Sequence, residues 1–208
     1  MTFGELQADC RRKLREASAT FWTDADVKDA INEAIHEFAD ATEYCERQAN
    51  IQTLTGRTYY DLTSVLPDTF LSPRRAYNPT TSRWSRPSGT RELDYQTYVR
   101  WELVYGPPEH YFLRGHGWLG VFPRPSNDDG FLRLYYTAIP EPMTADEDTP
   151  GFPRECHPGI VDLALSDLLA QERETEKAVM YWNRGQAYIN RLMDHVNSRQ
   201  RIPEKRSV

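Results

Sequence analysis

The chain has 208 residues, with 25 Lys+Arg against 31 Asp+Glu, so its formal net charge is −6 at pH 7. With 39% hydrophobic and 27% charged residues it has the make-up of a globular protein long enough to bury a core without disulfide or metal staples. No apolar run approaches the ~20 residues that span a bilayer, and acidity without a long basic block argues against a chain built mainly to grip nucleic-acid phosphates.

Phe3, Leu6, Cys10, Leu14 and Ala17 recur on one helix face, which predicts a first helix stopping near Ala17-Ser18. Thr23 with Asp26 forms a capping box, and Trp22 before it takes the staple position. Val27, Ala30, Ile31, Ala34, Ile35, Phe38, Ala41, Thr42 and Cys45 then hold a helical stripe. The two helices are expected to pack as an antiparallel pair. Residues 51–55 and 58–62, rich in β-branched and aromatic types and split by Gly56-Arg57, read as a hairpin. Pro67, Pro73, Pro79 and Pro87 predict short or edge strands in the stretch that follows. Thr90 to Leu103 reads as a short helix with Leu93, Tyr98 or Val99, and Trp101 facing inward. Residues 110–114, 118–122 and 131–139 read as strands separated by Gly- and Asn-Asp-rich turns. A Pro-rich acidic loop leads into an apolar helix at Ile160–Leu169, a charged turn at Glu172–Lys177, and a last helix carrying Ala178, Tyr181, Trp182, Gly185, Tyr188, Ile189, Leu192, Met193 and Val196, with Phe38, Tyr181 and Trp182 expected in the core.

The fold class that follows is α+β, mainly α: a four-helix core from the N- and C-terminal segments, an inserted small antiparallel β-domain, and an extended C-terminal tail. The expected divisions are a helical pair at 1–48, a β-rich insertion at 49–140, a Pro/acidic loop at 141–157, C-terminal helices at 158–197 and an arm at 198–208.

Catalytic signals are sparse. GxSxG, Walker A and HExxH patterns do not occur. Cys156-His157 beside Glu155 lacks further ligands at workable spacing, and Asp146-Glu147-Asp148 lacks the alternation of a calcium loop. No catalytic residue, metal or cofactor is expected. Cys10 and Cys45 lie on apolar stripes, and three cysteines without CxxC spacing suit a reducing compartment. If the chain were instead a hydrolase or ligand-binding protein with its site in the β-insertion, His110, His116 and His157 would be the first groups to test. A small nucleic-acid packaging subunit is a third reading, against which the net charge weighs.

Two features look outward. Tyr59, Tyr60, Tyr77, Trp84, Tyr95, Tyr105 and Tyr111 crowd the β-rich region, with Arg74, Arg75, Arg83, Arg86 and Arg91 close in sequence, the pairing that interface cores favour. The last residues carry Arg199, Arg201, Lys205 and Arg206 against the single Glu204, a basic end on an acidic chain. Such a segment can become ordered against an acidic groove.

The segment FWTDADVKDAINEAIHEFADAT, with its Trp-Thr-Asp turn, Ile31-Asn32 and Glu37-Phe38, resembles the tailed-bacteriophage head-to-tail connector, or adaptor, family. The likeness continues through LPDTFLSPRRAY, GPPEHYFL, GWLGVFPRPSNDDGFLRLYYTAIP and IVDLALSDLLAQERETEKAVMYW, spanning nearly the whole chain in order. This resemblance implies a structural virion protein with no catalytic activity. It implies a ring, usually of twelve copies, docked on the portal protein, extending the DNA channel and giving tail or nozzle proteins a platform. The implied location is the neck of the virion, with assembly in the host cytoplasm and no membrane partner. Genomic DNA would pass without sequence-specific binding, which an acidic conduit suits. Arg199, Arg201, Lys205 and Arg206 are the residues expected to form the portal-binding arm, by their position in the tail.

Overall fold

The computed structural model describes residues 1–16, 21–67, 69–96, 100–115, 117–128 and 130–200. The chain is mixed α+β and divides into two compact units, a helical one from Met1–Cys45 with Ile139–Val208 and a sheet unit from Glu46–Ala138.

In the helical unit, α1 runs Phe3–Leu14 and α2 runs Asp24–Thr42. Each begins at a reciprocal capping box, Thr2 with Glu5 and Thr23 with Asp26. Trp22 and Val27, on either side of the second cap, are both buried, as a staple requires. α1 stops at Leu14, short of Ala17-Ser18, which lie outside the described residues. Arg15 takes left-handed backbone (φ 61) and donates its N–H to the Arg11 and Arg12 carbonyls. Glu16 is drawn toward the next helix instead, its carboxylate accepting the Phe21 and Trp22 N–H groups. The stripe on α2 holds from Val27 to Phe38, but Ala39 rather than Ala41 faces inward, and the helix ends before Cys45.

α4, His157–Gln171, is buried on nearly every side, including Asp162 and Ser166, so it is the central helix of this unit. α5, Thr175–Gln200, follows a turn closed by left-handed Arg173; it buries Ala178, Ile189 and Leu192, but Trp182, expected in the core, stands exposed on it. It runs through Ser198, Arg199 and Gln200, so those three arm positions have helical backbone. The two helices pack where glycines face each other's side chains. A Cβ on Gly159 would stand 2.6 Å from the Tyr188 Cβ, and one on Gly185 2.5 Å from Leu163. Phe3, Leu6, Ile31, Ile35, Phe38, Ile160, Leu165 and Ile189 share one apolar cluster.

The acidic loop read as a solvated segment also anchors α1. The Asp148 and Asp146 carbonyls accept the N–H groups of Phe3 (2.7 Å) and Gly4 (2.9 Å), two of the donors a helix start leaves without partners. Asn32 of α2 holds the same loop through both backbone groups of Met143.

Among the described residues, the sheet unit contains seven strands: β1 Glu46–Gln52, β2 Tyr59–Asp61, β3 Phe70–Asn78, β4 Arg83–Pro87, β5 His110–Arg114, β6 Trp118–Phe122 and β7 Phe131–Ala138. Their order is β1-β7-β3-β4-β5-β6-β2, with β4–β5 parallel and the other pairs antiparallel. The sheet is therefore mixed rather than purely antiparallel. Between β4 and β5, α3 (Thr90–Gln96) and a short 3₁₀ turn at Trp101–Leu103 bury Leu93 and Trp101 against Phe112. Tyr98 and Val99 lie outside the described residues.

Two sequence expectations fail here for physical reasons. The hairpin at 51–62 does not form: Ile51 pairs with Leu132 on β7, while Tyr60 pairs with Leu119 on β6, at the opposite end of the strand order. Gly56 does make the expected turn (φ 72), but its N–H goes to the Pro125 carbonyl and the Thr53 N–H to Gly130, not across a ladder. Burial of Ile51, Tyr60 and Leu62 in one core with Leu132, Leu134 and Val121 decides the outcome. Nor is β3 short or at an edge: its nine residues lie between β7 and β4 despite Pro73. Register shifts on both sides of Ser72-Pro73 absorb the missing N–H.

Candidate interaction surface

Alternation along β7 sends Leu132, Leu134, Tyr136 and Ala138 into the core, so Phe131, Arg133 and Tyr135 fall on the other face. The register extends that face sideways. Gln48 stands opposite Tyr135 on β1, Arg75 opposite Tyr135 on β3, and Trp84 opposite Tyr77 on β4. The guanidinium of Arg75 lies 4.9 Å from the Trp84 ring centroid and 4.7 Å from that of Tyr135. Trp84 in turn contacts Tyr77 (5.1 Å between centroids) and Tyr135 (5.7 Å). Glu46 accepts from Arg75 at 3.2 Å at one border of the patch, and Arg133 donates to Asn50.

This assembly holds large rings in fixed positions while leaving Trp84 52% exposed. Each cation–ring contact at such an exposed site is worth about 0.5–1 kcal/mol, too little to explain an uncovered Trp as a device of stability alone. Rigid aromatics beside a partly neutralised Arg are the composition of interface centres.

The other sequence candidates separate on burial. Tyr60 and Tyr111 belong to the core, their phenols bonded to the Leu54 and Arg74 backbones. Burial raises both above the ordinary tyrosine range. Tyr95 and Tyr105 are exposed away from the Arg75 cluster's ring contacts. Arg201, Lys205 and Arg206 lie outside the described residues, as does the side chain of Arg199.

Groups with chemical potential are engaged structurally. His157 Nδ1 accepts from the Met1 ammonium at 2.8 Å, and its Nε2 bonds the Phe152 carbonyl at 3.0 Å. Burial lowers its pKa. His110 bonds Ser88 Oγ at 2.6 Å, and His116 lies outside the described residues. Burial pushes the Cys10 thiol up to about 12 and also raises Cys156, which keeps both as unreactive thiols. Among the described residues, no three His, Cys, Asp or Glu side chains converge on a possible metal position. A cleft of about 620 Å³ is lined by Tyr59, Asp94, Arg100, Glu102 and Arg114. Its polar groups contact one another: Trp101 Nε1 donates to Asp94 at 2.8 Å, and Arg114 lies over the Tyr59 ring.

The sequence matches the model of the SU10 adaptor protein family over residues 1–206. The chain belongs to that phage adaptor family. The adaptor's sequence resemblance and its family match thus cover the same near-complete span. No curated protein matches the chain. Among the adaptor's described residues no helix is long and apolar enough to cross a membrane. A role as a structural component of the phage particle, interacting with other head and tail proteins, follows from membership.

Proposed function

We propose that this adaptor is a head–tail connector: a ring, of twelve copies by analogy, docked on the portal, which extends the DNA channel and gives tail or nozzle proteins their platform. The family match over 1–206 carries this reading. The aromatic–Arg face around Trp84 supports it as a surface suited to contact with neighbouring copies or tail proteins. In this reading α1, α2, α4 and α5 serve as a four-helix core that holds the ring, and the neck of the virion is where the protein resides. Its work is assembly, without catalysis. The net charge of −6 suits a channel through which DNA slides without the phosphate contacts whose counterion release would hold it.

Arg199, Arg201, Lys205 and Arg206 are the residues proposed to hold the portal, through charge-assisted contacts. The test is co-sedimentation with assembled portal rings, using the full chain beside a version ending at Gln200, which keeps α5 whole. The full chain is expected in the portal pellet, with the shortened form reduced at least tenfold. Equal pelleting of the two forms would refute the arm assignment, and absence of both from the pellet would refute the connector reading.

A further inference from the structure

A groove of about 240 Å³ opens between α2, α4 and α5 in the helical unit. Ala34 and Leu163 form part of its floor, Glu33, Glu37 and Asp167 its rim, and Trp182 stands beside it, 42% exposed. Gln186 donates to Glu37 at 3.2 Å and Gln171 to Asp167 at 3.0 Å, both neutral partners. Among the described residues, none of the three rim carboxylates is paired with a cation. The groove is thus built with three negative groups, an apolar floor and an open indole, on a chain whose last segment has the opposite character. That segment carries Arg199, Arg201, Lys205 and Arg206, with Ile202-Pro203 between the cations.

We propose that this groove seats the basic C-terminal arm of a second copy of the chain. The cations bond the rim carboxylates, one guanidinium stacks on Trp182, and Ile202-Pro203 covers the apolar floor. Reach excludes the chain's own arm. Trp182 lies 18 residues before Gln200 on α5, about 27 Å along the helix axis. Pro203 is three residues beyond Gln200 and its backbone extends about 10 Å at most, so the chain's own Ile202-Pro203 cannot cover the floor. The inference rests on reading the arm as a docking segment, and gives it a seat on a neighbouring copy in addition to the proposed one on the portal.

Sedimentation equilibrium of the full chain, at low and high salt, tests it. One variant carries Glu33→Lys with Asp167→Lys, both exposed positions; a second carries Arg201→Glu with Arg206→Glu; a third combines all four. The wild type is expected to self-associate more weakly as salt rises. Each double variant should weaken association at least tenfold with unchanged circular dichroism, and the combination should restore it. A wild type that remains monomeric, a groove variant that associates normally, or a combination that fails to recover would overturn the proposal. Portal co-sedimentation of the same proteins separates the two readings: a groove variant that no longer self-associates but still pellets with portal supports the seat. Self-association that follows this charge pattern, in a protein that ignores portal, would leave the seat standing and remove the connector.

Discussion

Gly159 on α4 meets Tyr188 on α5 so closely that a methyl group there would stand 2.6 Å from the Tyr188 Cβ, an atom that cannot move unless α5 does. Gly151, in the same unit, has open space around it. Alanine gains about 1 kcal/mol of helix propensity over glycine, but the overlap at Gly159 costs more. Gly159→Ala should therefore destabilise by about 1–3 kcal/mol, lowering Tm by about 2–4 °C for each kcal/mol, whereas Gly151→Ala should leave Tm nearly unchanged. Thermal melts of both variants check the contrast. His157 gives a prediction in pH. Burial holds its folded-state pKa below the ordinary 6.5, so the unfolded chain binds the proton more readily. Its contribution to stability is complete above 6.5 and is lost progressively as pH falls from there through the lower folded-state value. Between about pH 7.5 and about pH 5.5 the wild-type Tm should fall more steeply than that of His157→Gln. Parallel slopes would show that His157 does not titrate on unfolding.

At the scale of elements, what was legible depended on how local the signal is. The start of α2 was readable because its capping box lies within four residues, and the burial of α4 because Ile160, Val161, Ala164, Leu165, Leu168 and Leu169 dominate it, whereas the capping box of Thr2 and Glu5 on α1 went unread. The end of α1 was not, since it depends on the αL backbone of Arg15 and on Glu16 reaching Phe21 and Trp22. Strand pairing was the least legible: Gly56 signalled a turn correctly, yet Ile51 and Tyr60 find their partners some 60 to 80 residues away. Pro73 misled because a bulge relieves its missing N–H. The surface around Trp84 was half legible. Sequence placed Tyr77, Trp84 and Arg75 near one another, but Tyr135 joins them only through the β3–β7 register. Trp84→Ala and Arg75→Ala should each change folding stability by less than about 1 kcal/mol. If this face is a subunit or tail contact, each should weaken assembly at least tenfold, as interface centres do. Wild-type assembly in both variants would remove the face from the interaction surface.

For the whole molecule, the amphipathic patterns made α+β architecture readable, while the mixed character of the sheet had to come from its pairing. Assembly is a property no single chain's periodicity encodes, because it depends on which exposed patches meet. A closed ring requires a heterologous contact, two different patches whose geometry returns to its start. A groove on one copy and an arm on the next would be two such unlike surfaces. Electron microscopy of assembled portal rings incubated with the full-length protein tests the connector account most directly. The account predicts class averages with a second, coaxial ring of density on the portal, its channel continuous with the portal's own. Portal particles that remain bare at saturating protein would contradict it.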